Sequence, residues 1–343
     1  MSPYALSMLI SSLSAGTIIT FISNHWFLAW IGLELNTLAI IPIMSKMHHP
    51  RSTEAAIKYF LIQSMASALL LFATMLNAWY TGEWTIINMQ TQTPLLLLTT
   101  ALMIKLAVAP FHMWLPDIIQ GLDLMTCLIL STWQKLAPMT LMIQVSSEIN
   151  TTLLMFLGML SLLIGGWGGL NQTQLRKMMA YSSIAHLGWM MIVMSYYPNL
   201  TLLNLLMYLL LTTSMFLMMM KLLSTNINKM ASSWMKNLSL TSTMIIILMS
   251  LGGLPPLSGF MPKWLILEEI IKQNIPLAVM AAMSTLLSLF FYLRLSYMMS
   301  LTTPPTTMGS KMMWRLKMKL NMSTTIIMST MLLPITPLIL NMI

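Results

Sequence analysis

The chain is cut into apolar runs of about 20 residues, one after another, with very little charge inside them. A helix of that length crosses the ~30 Å hydrocarbon core of a bilayer. In hydrocarbon every backbone N–H and C=O must be paired internally, so only helices and closed barrels span it. Only 7% of the 343 residues are charged while 57% are hydrophobic, and soluble domains carry about a quarter charged residues. The mean hydropathy of +0.79 points the same way. These figures exclude a soluble enzyme, a disordered chain and a secreted disulfide scaffold. The single cysteine, Cys127, has no partner for an internal bridge and sits in an apolar run, where it reads as a small hydrophobe.

The apolar windows predict helices over 3–23, 25–45, 55–79, 94–109, 125–145, 149–170, 175–195, 199–223, 240–272, 276–299 and 323–343. Eleven crossings follow, in an all-α polytopic membrane protein with its termini on opposite sides. The loop charges agree. If crossings alternate, the N-terminal side receives Lys46, Arg51, Lys58, Arg176, Lys177, Lys221, Lys229, Lys236, Lys311, Arg315, Lys317 and Lys319, and the other side only Lys272. That asymmetry is what the positive-inside rule expects, and it accounts for the net charge of +9 without nucleic acid. The 41 methionines against four valines (Val108, Val145, Val193, Val279) suggest a coding bias of the kind animal mitochondrial genomes show. The first apolar run begins near Pro3 and is long enough to span, so it reads as a crossing and not as a cleavable leader.

Glu34, Lys105, Lys135, Lys263 and Arg294 lie inside or at the edge of crossings. A charge near the bilayer centre costs at least about 2.5–3.5 kcal/mol on insertion scales, and intramembrane ionisable groups default to ion or proton paths. One isolated lysine reads equally well as a structural ion pair or a snorkelling end; three lysines with one glutamate favour a path. Their surroundings add to this. Pro110 and Pro138 follow Lys105 and Lys135, and each removes a helical hydrogen bond and opens the turn before it. Lys263 follows a stretch holding Gly252, Gly253, Pro255, Pro256, Gly259 and Pro262, which cannot remain one continuous helix. Irregular backbone at membrane depth is tolerated only inside protein or along a wet cavity. Two such interruptions in separate halves of a chain point to an inverted-repeat transporter. His112 and His186 are candidate relays; either reads equally as a histidine hydrogen-bonded for packing. No metal-spaced cluster, haem motif or phosphate loop is present, and the glycines 165–169 do not spell a dinucleotide fingerprint.

Three stretches carry a resemblance: Lys105–Asp117 (KLAVAPFHMWLPD), Gly166–His186 (GWGGLNQTQLRKMMAYSSIAH) and Ser250–Trp264 (SLGGLPPLSGFMPKW). Asn24-His25-Trp26 and Trp133–Pro138 agree with them. The chain resembles the antiporter-like membrane-arm subunits of respiratory complex I, NADH:ubiquinone oxidoreductase, and among these the subunit 2 family of animal mitochondria. The resemblance implies a core subunit that helps pump protons, with NADH, FMN, iron–sulfur clusters and ubiquinone handled in other subunits and no cofactor bound here. It implies two inverted five-helix repeats, over 1–145 and 149–299, then a basic loop at 300–322 and a C-terminal helix at 323–343. Glu34 and Lys105 match the family's paired carboxylate and lysine, Lys135 its central lysine and Lys263 its terminal one, with the histidines connecting them. Expected partners are other membrane-arm subunits and lipids; the expected place is the mitochondrial inner membrane, N-terminus in the matrix. Bacterial relatives carry about three further N-terminal helices that this chain lacks. A stand-alone cation/proton antiporter and a passive scaffold remain as alternatives.

Overall fold

The structure is a computed structural model and describes residues 2–46, 48–89, 91–235, 237–301 and 323–331. Its contacts divide the chain into two compact units, Met1–Leu157 and Gly158–Ile343. Among the described residues every regular element is helical. The first unit contains α1 (Pro3–Ile22), α2 (Trp26–Met44), α3 (Pro50–Thr81), α4 (Gln92–Leu106), α5 (Trp114–Gly121), α6 (Leu124–Ser131) and α7 (Trp133–Val145). Helix α8 (Thr151–Gly169) begins in the first unit and ends in the second. The second unit continues with α9 (Leu175–Met194), α10 (Pro198–Leu222), α11 (Ile227–Ala231), α12 (Leu238–Gly252), α13 (Phe260–Gln273), α14 (Ile275–Leu301) and α15 (Ser323–Met331).

The ends of these helices follow from local chemistry. Proline opens α1, α3 and α10, where its missing N–H would have no partner in any case. The Nδ1 atoms of His25 and His49 each accept a first-turn N–H, from Phe27 and Arg51, at 3.2 Å. Gly82 closes α3 in the left-handed conformation at φ +76°.

Six helices are long and apolar enough to cross a membrane: α1, α2, α3, α8, α10 and α14. Helices α4 and α12, at 15 residues each, are apolar but too short to span alone, at about 22 Å. Each is followed by irregular backbone and a second short helix. Glycine pairs set the closest crossings. A Cβ on Gly16 of α1 would meet the Gly32 carbonyl of α2 at 2.8 Å, and a Cβ on Gly32 would meet the Gly16 carbonyl at 2.8 Å. Gly158 and Gly188 repeat this between α8 and α9, at 3.1 and 2.8 Å. Small residues that let backbones approach are the usual device where lipid removes the hydrophobic drive between helices.

Two expectations change. The window 125–145 is two helices, α6 and α7, interrupted at Thr132. Pro138 lies inside α7 and is not the break. The cause is upstream: Ser131 and Thr132 both turn their hydroxyls onto the Leu128 carbonyl, at 3.1 and 2.7 Å, and compete for the acceptor that the backbone ladder uses. Pro262 likewise sits in the first turn of α13, beyond the interruption at 253–259. Lys236, Lys311, Arg315, Lys317 and Lys319, most of the basic loop and the end of the expected C-terminal helix lie outside the described residues.

Candidate functional site

Lys105, Lys135 and Lys263 are only 6%, 5% and 8% exposed, although each carries the longest charged stem a protein has. None reaches solvent by snorkelling, so each must be satisfied internally.

In the first unit, Lys105 and Lys135 line one internal cavity of about 20 Å³. Lys105 stands in the last turn of α4 and Lys135 in the first turn of α7. Asn36, Thr37, Tyr59, Gln63, Trp114 and Gln134 supply the rest of its polar lining. A space of that size holds one water. The Lys105 Nζ makes no hydrogen bond to any described residue. The carbonyls nearest in sequence are already taken. Ala107, at φ +63°, donates to Ile104, Val108 donates to Met103, and the Trp114 indole donates to Ile104 at 3.1 Å. Freed carbonyls beside Lys105, expected from Pro110, are therefore not what receives its ammonium. Glu34 is close enough to act electrostatically on Lys105 and on the Tyr59 phenol. It closes no ion pair with Lys105 among the described residues; its Oε2 accepts from Thr37 at 3.2 Å, one turn along α2. Thr37 thus stands between the carboxylate and the cavity wall.

In the second unit the arrangement is different. Lys263 lies in the first turn of α13, and its Nζ reaches back across the interruption to donate to the carbonyls of Leu251 and Gly252, at 3.2 and 2.9 Å. Those are the last carbonyls of α12, the negative end of that helix, so the ammonium caps it. Gly253 makes this possible. At φ +83° it donates to Met249 and Ser250, which leaves the final two carbonyls for the lysine. Ser258 anchors the far end of the loop by donating to the Ser329 carbonyl of α15. Lys263 shares a cavity of about 10 Å³ with His186, Ser182, Ser288 and Tyr292. The His186 ring packs against Tyr208, centroids 5.5 Å apart, and Ser182 and Ser183 donate to the α9 carbonyls of Met179 and Ala180 at 2.7 Å.

The remaining candidates fall elsewhere. His112 is buried in the 107–113 loop with Nδ1 3.2 Å from the Pro110 carbonyl, and it does not line the Lys105 cavity. Arg294 is exposed and donates to the Leu170 carbonyl at 2.8 Å. Sequence reasoning singled out charge and so passed over Tyr59, Gln63, Gln134, Tyr208 and Tyr292. One signal was available: Tyr59/Gln63 and Ser288/Tyr292 are polar pairs at i,i+4 inside apolar runs, which places both members on one helix face. Neither cavity has the volume of an organic cofactor site. Among the described residues no group of three or more His, Cys, Asp or Glu is placed to hold a metal.

Buried lysines at interrupted helices, each facing water-sized space lined by neutral hydrogen-bonding groups, define an all-helical membrane protein of the ion- or proton-handling class. Residues 23–288 match the family described as NADH:quinone oxidoreductase/Mrp antiporter, TM, and residues 289–340 match NADH dehydrogenase subunit 2 C-terminus. The chain belongs to this family. It is 56% identical to NADH-ubiquinone oxidoreductase chain 2 of Salmo salar and 55% identical to that of Oncorhynchus mykiss, each over 98% of both chains. Its fold is similar to that of a chain in respiratory complex I from Thermus thermophilus with bound Aureothin, at a TM-score of 0.86 and 24% identity, covering 99% of this chain and 80% of the other.

Proposed function

We propose that protonation changes at Glu34, Lys105, Lys135, His186 and Lys263 carry the proton translocation that this chain performs as a membrane-arm subunit of NADH:ubiquinone oxidoreductase. The observation behind this reading is that all three buried lysines sit at helix interruptions and line spaces that hold about one water each. A lysine held in a dry wall would be a structural ion pair; a lysine facing a water and neutral donors can hand a proton on. In the first unit Glu34 acts on Lys105 through space, and the cavity water passes protons between Lys105 and Lys135. In the second unit Lys263 exchanges with His186. His112 holds the 107–113 loop and stands outside the path, because its bond goes to Pro110.

The same reading takes 1–145 and 149–299 as inverted five-helix repeats within eleven crossings. The α4/α5 and α12/α13 interruptions are the matching broken helices. The chain lies in the mitochondrial inner membrane with its N-terminus in the matrix, among membrane-arm subunits and lipids, and the redox cofactors belong to neighbouring subunits. The test is the number of protons pumped per NADH by the assembled complex carrying Lys135→Met or Lys263→Met. A lower ratio with intact assembly is expected. Unchanged ratios in both variants would sink the proposal, and ion exchange by the isolated chain in liposomes would favour a stand-alone antiporter.

A further inference from the structure

The hydroxyl of Tyr292 is buried at 2% exposure and opens onto the Lys263–His186 cavity, yet it closes no hydrogen bond of normal length with any described residue. A buried phenol normally finds a partner. Ser182 lies nearest in character, but its single proton is committed to the Met179 carbonyl, so it offers Tyr292 only an acceptor. Across the same space, Lys263 has three N–H donors and directs two of them at Leu251 and Gly252. One donor and one phenol thus converge on a space of about 10 Å³, the lower limit for a single water. His186 and Ser288 close its walls.

We infer that Tyr292 is a positioning residue that holds one water between Lys263 and His186, and that this water is the bridge for proton transfer between them. The inference rests on the proton-translocation reading of Lys263 and His186. The step balances without any further reactant. An N–H bond of the Lys263 ammonium breaks as a new O–H bond forms on the water. In the same event the water releases one of its own protons to the unprotonated ring nitrogen of His186. Ammonium and imidazole become amine and imidazolium, and the water is regenerated. Tyr292 does not change its protonation; its hydroxyl fixes the oxygen so that the two hops are aligned. A second consequence is directional: with Tyr292 and Lys263 occupying two of the four hydrogen-bonding positions of the water, the remaining proton points at His186 and not back along α12.

The experiment is Tyr292→Phe in the assembled complex, with Lys263→Met in parallel, read by infrared difference spectroscopy in H2-16O and H2-18O and by protons pumped per NADH. The expected result for Tyr292→Phe is loss of one oxygen-isotope-sensitive water O–H band together with a fall in pumping, while NADH oxidation in uncoupled membranes is unchanged. A purely structural role would leave the water band in place. Retention of the band, or normal pumping by Tyr292→Phe when Lys263→Met pumps poorly, overturns the inference and leaves the role of Lys263 standing. Normal pumping by both variants removes the reading beneath it as well. If Tyr292→Phe fails to assemble, Ser288→Val fills the same space with methyl groups while every ionisable group remains. Loss of band and pumping in that variant supports the water bridge, and normal values overturn it.

Discussion

Adding one methyl group at Gly253 tests the Lys263 site without touching any ionisable residue. Gly253 closes α12 at φ +83°, and a Cβ there would lie 2.9 Å from the Lys263 Nζ and 3.0 Å from its Cδ. Two terms oppose Gly253→Ala. An L-residue in the left-handed region costs about 1–2 kcal/mol. Displacing the ammonium from one of its two carbonyls forfeits a hydrogen bond to a charged donor, about 1.5–3 kcal/mol. A tenfold change in population is about 1.4 kcal/mol, so the second term alone lowers the docked population of Lys263 roughly tenfold to a hundredfold. Gly252 supplies the control one residue away. It is helical, and its added Cβ would meet nothing closer than the Tyr292 Cβ at 3.6 Å, an ordinary van der Waals contact. The assay is protons pumped per NADH by the complex in liposomes, with assembly checked on native gels. Gly253→Ala is expected to lose pumping while Gly252→Ala retains it. Equal behaviour of the two alanine variants would refute the claim that carbonyl docking of Lys263 matters.

Other outcomes follow from the same geometry. Lys105→Met removes an ammonium that no described residue bonds, so the complex should assemble at normal levels and pump less; failed assembly would instead favour a scaffold role. His186→Gln should lower pumping, whereas His112→Gln, which keeps a group able to bond the Pro110 carbonyl, should pump normally, and the reverse pattern would move the relay to His112. Gly32→Val drives a side chain into the Gly16 carbonyl and Thr20 of α1. Overpacking of this kind costs about 1–3 kcal/mol, so native gels should show less assembled complex, and wild-type amounts would show that the crossing yields.

The helices of this chain were legible where their cause is a composition. Apolar length located α1, α2 and α3 to within a few residues at most ends, and the glycines and prolines at 252–259 announced the interruption before α13. What escaped was the break at Thr132. Its cause is hydroxyl competition at a single carbonyl, and serine and threonine make such bonds throughout this chain without breaking a helix; Thr17 and Thr20 do so in α1. The site divided in the same way. Charged residues inside apolar runs stand out because their burial is expensive, so Lys105, Lys135 and Lys263 could be named from sequence. The neutral groups that give those charges somewhere to send a proton are ordinary helix residues until a fold brings Tyr59 beside Trp114 or Tyr292 beside His186.

The two broken helices also show that one sequence device yields two different electrostatic settings. Both α4 and α12 end in a left-handed residue, Ala107 and Gly253, that turns its N–H back onto the preceding turn. At α12 that closure leaves the Leu251 and Gly252 carbonyls open, and Lys263 arrives from the following helix to take both. At α4 the Trp114 indole has already claimed Ile104, and the lysine belongs to the closing helix itself, so its side chain leaves the helix end and enters the cavity. Lys263 is thereby tied to a fixed dipole, and its release requires the loop or Gly253 to move. Lys105 answers instead to what shares its cavity and to Glu34, whose carboxylate is held one turn away by Thr37. A rotation of Thr37 that frees Glu34 changes the field on Lys105 without any backbone motion. The second lysine is therefore placed to respond to conformational change, and the first to a change of charge.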